Sequence, residues 1–240
     1  MTALSLRRSI APIFAILFLV MSAVSRAATL EVTSLAASGA GSLSEAITTA
    51  NASTGVADTI IFSVTGTISL GSELLPEISD DLSIEGPGET LLTIDGGGVA
   101  SAGRVFRAVD CGSANFAFSG MTITNSPAGI FEGACDVDVV IENVTASDNI
   151  GANADLLVFQ DGAVLTMTAC TVADNSINLE GSVIFISDSD GSLITGSAFS
   201  DNYTEANASA VTFSHSGGRI ESSSFLRNSA QYAAGAIQAI

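Results

Sequence analysis

The chain has 240 residues, 47 % of them hydrophobic, and carries 25 acidic residues against seven basic ones, all arginine. That is enough apolar material for a packed core and far from the composition of a disordered chain. Acidity of this degree repels phosphate backbones and anionic lipid surfaces, which excludes nucleic-acid binding; it favours solubility and leaves room for loosely held divalent cations.

The N-terminus reads as an export signal. Arg7 and Arg8 precede an apolar stretch from Ile10 to Val24, and Ser25-Arg26-Ala27 places small residues at the first and third positions of a cleavage site. The apolar run is shorter than the roughly 20 residues of a spanning helix and contains Pro12, so residues 1–27 are expected to be a signal peptide and not an anchor. No later segment is suited to span a bilayer as a helix. From Ala28 onward only Arg104, Arg107, Arg219 and Arg227 oppose the 25 acidic residues, a net charge of −21.

Residues 28–100 come next. Glu31-Val32 begins a strand. Ser42 followed by Glu45 makes a capping box, predicting a helix from about Leu43 to Ala50. Asp58–Phe62, Thr67–Leu70, Leu82–Ile84 and Leu91–Ile94 read as strands, the last two joined through Gly86-Pro87-Gly88. A stack of coils needs a cover over its open core, and the helix is the candidate cap, with these strands forming the first coils.

Residues 101–240 repeat. Asn125, Asn149, Asn175, Asn202 and Asn228 recur at steps of 24 to 27 residues, and Phe106, Phe131, Phe159, Phe185 and Phe213 run in parallel. A further register holds in all five coils. Phe118, Ile141, Met167, Ile194 and Ile220 form one row; Met121, Val144, Cys170, Ser197 and Ser223 follow three residues on; Ile123, Ala146, Val172, Phe199 and Phe225 follow two further on. A period of about 26 residues says solenoid, and three short Val-, Ile-, Phe- and Thr-rich strands per coil say an all-β, single-stranded right-handed parallel β-helix. The Asn row is expected at a turn, where asparagine tolerates left-handed backbone and stacked amides bond to each other. The Phe row is expected as one stacked core column. The connection after the Phe strand varies in length, which marks it as the surface loop. The chain reaches Ile240 within a sixth such coil, so its open end is expected to need more chain or a partner against it.

Cys111 lies five residues after Phe106 and Cys135 four after Phe131, so they occupy equivalent places in adjacent coils. Coils stack about 4.8 Å apart, within the Cα separation a disulfide accepts. Export permits the bond, and Cys111–Cys135 is the expected pair, with Cys170 left as a structural thiol.

The run Gly41-Ser42-Leu43-Ser44-Glu45-Ala46-Ile47 with Ala50-Asn51, then Asp58–Phe62, Ile84–Gly88 and Thr93-Ile94-Asp95-Gly96, resembles the N-terminal region of exported bacterial right-handed parallel β-helix proteins of the pectin-lyase-like fold. Many of those carry a Cys-Ser-Leu-Arg-Glu-Ala signature; here Gly41 and Ser44 replace its Cys and Arg. Ser224–Ala230 followed by Ala234-Gly235-Ala236-Ile237 resembles the repeat of polymorphic outer-membrane proteins, where two glycines usually precede Ala-Ile. The resemblance implies an extracellular or outer-membrane surface location and includes adhesins and autotransporter passengers. The fold it implies also carries pectate lyases and other polysaccharide enzymes.

The residues for that chemistry do not assemble in the sequence. None of Pro12, Pro76, Pro87 and Pro127 has an arginine two places before it, as the lyase pattern would. Asp80-Asp81 is the one adjacent acidic pair of the hydrolase type, and His215, the single histidine, is flanked by serines and reads as a solvated loop residue. Asp188-Ser189-Asp190-Gly191 hints at a weak calcium loop through Asp188 and Asp190, but Leu193 stands where such a loop needs glycine. Asp148, Asp174 and Asp201 each precede a ladder Asn and are expected to face solvent. No catalytic residue and no cofactor is assigned, calcium excepted as a weak candidate. The function expected is a largely non-enzymatic surface protein whose loops bind a glycan or a protein; the alternative is a polysaccharide lyase or glycoside hydrolase.

Overall fold

The computed structural model describes residues 26–97, 103–109, 115–151, 155–178, 181–205, 210–232 and 235–240. Every strand pairing among them is parallel, and each strand pairs with its equivalents in the coils before and after it. The result is a parallel β-helix, as the repeat predicts. A long 13-stranded sheet, a six-stranded sheet and a four-stranded sheet of two-residue strands make its sides.

Three rows of left-handed residues turn the chain at its corners. Gly120, Asn143, Ala169, Gly196 and Ser222 bend the long sheet in the middle; Asn125, Asp148, Asp174, Asp201 and Arg227 end it; Cys135, Asp161, Asp188 and His215 follow the six-stranded sheet, all with φ between 48° and 64°. Positive φ at L-residues is costly, and Asn and Asp bear it best because their short side chains bond locally. The recurrence of Asp and Asn in these rows is thus a consequence of the corner geometry. At the first bend, Gly86 and Gly120 lie so close that a Cβ on either would overlap the other's carbonyl group, which explains both glycines, while Gly88 of the Gly86-Pro87-Gly88 arch takes a φ of 141°.

The predicted helix spans Leu43–Ala50 and closes the N-terminal end. It buries Leu43, Ala46, Ile47 and Ala50, one face at helical spacing, toward the strands Thr29–Val32 and Asp58–Phe62. Ser42 Oγ accepts from the Glu45 N–H at 3.2 Å. Glu45 reaches back one residue further than a standard capping box, to the Gly41 N–H at 2.6 Å. Ser42→Ala is expected to cost about 1 kcal/mol, read as a lowered denaturation midpoint at unchanged slope.

The inward register is that of the sequence rows. Phe118, Ile141, Met167, Ile194 and Ile220 are paired coil to coil, as are Ile123, Ala146, Val172, Phe199 and Phe225. Both columns run back into the first coils, through Ile60 and Ile84 and through Ile68 and Ile94. Burying a column member removes a whole side chain from water, worth roughly 1.5–3 kcal/mol each.

The phenylalanine row is not one column. Phe106 and Phe131 pair with each other, but the next members of that column are Leu157, Ile184 and Val211. Phe159 and Phe213 sit two places on, in the column of Gly133 and Ile186. Phe185 falls between them, on the outward column beside Val158 and Thr212, and is half-buried. Three-residue strands present two inward positions, and phenylalanine fills either; its recurrence marks the strand and not the register. The rings still pack, with Phe131 5.6 Å from Phe116 and 5.4 Å from Phe159.

In this register the connection after the six-stranded sheet is ten residues from Phe106 to Phe116, eight in each of the next three coils and seven from Val211 to Gly218, so it varies, though less than the Phe row alone suggests. The approach to the six-stranded sheet varies as well: eight residues from Ile123 to Phe131, eleven from Ala146 to Leu157, twelve from Val172 to Ile184.

The asparagine ladder is present with one member changed. Asn149, Asn175 and Asn202 are buried. Each donates its Nδ2 to the Oδ1 of the next, at 2.9, 2.8 and 2.8 Å, the last acceptor being Asn228. Each Oδ1 also accepts the preceding coil's backbone N–H. In the first coil that N–H belongs to Ser126, not to Asn125. Asn125 stands one place earlier, in the left-handed row with Asp148, Asp174 and Asp201, and its Nδ2 bonds Asp95 in the open. The left-handed residue is therefore the one before the ladder Asn, which corrects the expectation that the ladder itself takes that geometry. Asp148 and Asp174 face solvent, and Asp201 is gripped by Arg227 through two contacts of 2.6 Å.

The segment expected to be a signal peptide, up to Ser25, and Cys111 of the expected disulfide lie outside the described residues. Cys135 is disulfide-bonded, and Cys170 is a free, buried thiol.

Candidate functional site

The residues singled out for chemistry do not converge. His215 is an exposed corner residue whose ring Nδ1 lies 3.2 Å from Ser214 Oγ. Asp188 is a left-handed corner residue that accepts from Ser187 Oγ, and Asp190 accepts the Gly217 N–H at 2.6 Å, so both carboxylates serve the turn. Among the described residues no three His, Cys, Asp or Glu side chains are placed to hold a metal. Asp80 accepts from the Gly55 N–H at 2.7 Å and Asp81 from the Asn115 N–H at 2.6 Å, so this acidic pair ties coils together. Among the described residues no helix is long and apolar enough to cross a membrane.

Two of the chain's few arginines gather on the outer side of the six-stranded sheet. Arg107 reaches Glu132 and Glu77 at 3.3 and 3.7 Å, and Arg104 reaches the same Glu132 oxygen at 3.6 Å. Arg104 is largely buried and donates to the Asp155 carbonyl at 2.5 Å, while Asp155 accepts the Ser182 N–H at 2.5 Å. Burial pulls the Arg104 guanidinium below its ordinary value, with Glu132 and Asp155 opposing it. Burial likewise holds the Asp155 carboxyl above the usual carboxylate range, against the Ser182 N–H and Arg104. A shifted carboxyl beside a cation is a feature of acid–base sites. Here, however, the hollow beside Arg104 has a volume of about 10 Å³, room for one water and no substrate. The cluster anchors the approach to the sheet.

Space for a ligand lies on the outer face of the long sheet. A shallow trough of about 290 Å³ crosses four successive coils, from the strand Asp58–Phe62 to the strand Asp138–Ser147. Its floor is the outward column Thr59, Ser83, Ala117 and Val140, small side chains set in register by the pairing beneath them. Its rim is the row just before the inward column: Asp81, Asn115 and Asp138, on three successive coils. The row continues through Val164 to Gly191 and Gly217, where a second hollow of about 250 Å³ opens beside Leu193 and Arg219. Asp58 also lines the trough but is buried, and its two oxygens accept from the Ala28 N–H and the Ser53 hydroxyl. Asp81 was legible as half of an acidic pair. Asn115 and Asp138 were not, because they lie 34 and then 23 residues along, off the 26-residue period. The usable signal is position: each stands immediately before Leu82, Phe116 or Val139, the start of the inward column.

Cys170 sits under the opposite half of the same sheet, on the core side. Burial pushes its thiol up to about 11. The folded state then keeps a proton that the unfolded state releases above about pH 9, so stability present below that pH is lost as pH rises toward 11, by up to about 1.4 kcal/mol per unit. Cys170→Ala is expected to flatten this alkaline decline in denaturation midpoints, and the native thiol is expected to resist alkylation at pH 8.

No family model matches the chain, and no curated protein matches it. Among solved structures it is similar to the A-module of the Azotobacter vinelandii mannuronan C-5 epimerase AlgE4, at 12 % identity and a TM-score of 0.32 over 75 % of this chain and 72 % of that one. It is also similar to the A-module of the epimerase AlgE6 from the same organism, at 14 % identity and a TM-score of 0.35 over 77 % and 69 % of the two chains.

Proposed function

We propose that the protein is exported, stands at the cell surface or outside the cell, and acts by binding a glycan along the outer face of its long sheet. The observation that carries this reading is the trough over Thr59, Ser83, Ala117 and Val140 with its Asp81–Asn115–Asp138 rim. A flat floor of small side chains admits a sugar ring, and the rim supplies acceptors and an amide for its hydroxyls. Of the carboxylates lining the trough, Asp58 spends both oxygens and Asp81 one on hydrogen bonds within the fold, so binding without turnover is the expected activity. An expected disulfide between Cys111 and Cys135 would tie the chain four residues before Asn115 to the next coil.

The test is an oligosaccharide array probed with the chain from Ala28 onward, followed by calorimetry on each ligand retained. Binding without new reducing or unsaturated ends supports the reading. Retention of no oligosaccharide contradicts it, and steady release of cleaved products favours the enzymatic alternative.

A further inference from the structure

The charge of the trough specifies its ligand further, given the glycan reading above. The Asp138 side chain is exposed and makes no hydrogen bond or ion pair among the described residues. Asp81 spends one oxygen on both N–H groups of Asn115, at 2.6 and 3.2 Å, and leaves the other open. No lysine or arginine lines the trough, and the described residues offer no third ligand that would make a metal site of the pair. Two carboxylates thus face one hollow without a cation of the protein's own. They stand two coils apart, about 9.6 Å by strand spacing, with Asn115 between them. That is close to the length of one disaccharide in an extended chain lying along the helix axis.

We infer that the trough binds a glycan bearing protonated amino groups, an oligomer of amino sugars, with alternate ammonium groups on Asp81 and Asp138 and the intervening ring on Asn115. A polyuronate is repelled by the same carboxylates and by the chain's net charge. A neutral N-acetylated oligomer meets the floor and the amide but leaves the carboxylates unpaired.

Three probes of equal length decide this by calorimetry: a hexamer of β-1,4-linked glucosamine, its fully N-acetylated counterpart, and a hexuronate. The glucosamine hexamer is expected to bind at least tenfold more tightly than the acetylated one, and the hexuronate not at all. Asp138→Asn and Asp81→Asn are each expected to weaken glucosamine binding about tenfold. Asp174→Asn removes the same charge from an exposed corner on another side and is expected to change it less than twofold, which separates a site from the general attraction of a polycation to an acidic protein. Equal binding of the charged and acetylated hexamers, or equal weakening by all three substitutions, overturns the amino-sugar inference and leaves glycan binding standing. Binding of none of the three, with an empty oligosaccharide array, overturns both.

Discussion

Replacing Asn175 with alanine is expected to lower stability by roughly 3–4 kcal/mol. The side chain is buried at the centre of the ladder and makes four hydrogen bonds. Its loss strands the Asn149 N–H, which has no other acceptor among the described residues, and removes the bond that Nδ2 makes to the Ala146 carbonyl at 2.9 Å. Each orphaned buried group costs about 1–3 kcal/mol, and the backbone cannot move to meet water without opening the stack. Asn125→Gly makes the comparison. Asn125 shares the sequence row but lies in the open, one place out of the ladder, and glycine accepts its φ of 54° without strain. A change under about 1 kcal/mol is expected there. Denaturant midpoints of the two variants check both; equal losses would mean that the sequence spacing, and not the observed register, defines the ladder.

The second large effect is Phe131→Ala, at about 3–5 kcal/mol. Phe131 is fully buried and is ringed by Phe116, Phe118 and Phe159 at centroid distances of 5.6, 6.2 and 5.4 Å. Truncation leaves a cavity among rigid aromatic neighbours, which collapse poorly. Phe185→Ala deletes the same ring from the outward column, where it is half-buried, and is expected to cost no more than about 1.5 kcal/mol. A single stacked column would make the two substitutions equivalent.

These contrasts show how far the sequence can be read. The rows through Ile141 and Val172 were legible because an inward strand position tolerates only apolar residues and the bend at Asn143, Ala169 and Gly196 keeps its place in every coil. The rows through Phe159 and Asn125 misled because register in a strand has period two. A slip of one residue exchanges core for solvent, and one residue type recurring at 26-residue steps does not reveal such slips. The cap at Ser42 was legible because its chemistry is local. The trough was not, since Asp81, Asn115 and Asp138 share no residue type and no constant spacing; only the stacking of Leu82, Phe116 and Val139 brings them side by side. The arginine cluster fails for a related reason: Arg104 and Asp155 are 51 residues apart and meet across two coils.

The trough exists only if Ser83, Ala117 and Val140 stand next to one another on the outer face in that order. Cysteines placed in pairs at these positions test this directly, with the linked peptides identified by mass spectrometry after mild oxidation. Ser83→Cys with Ala117→Cys, and Ala117→Cys with Val140→Cys, join adjacent coils about 4.8 Å apart and are expected to form disulfides. Ser83→Cys with Val140→Cys spans two coils and is expected to stay reduced. Cross-linking of the distant pair in preference to the adjacent ones would contradict the stacking, and the binding face would go with it.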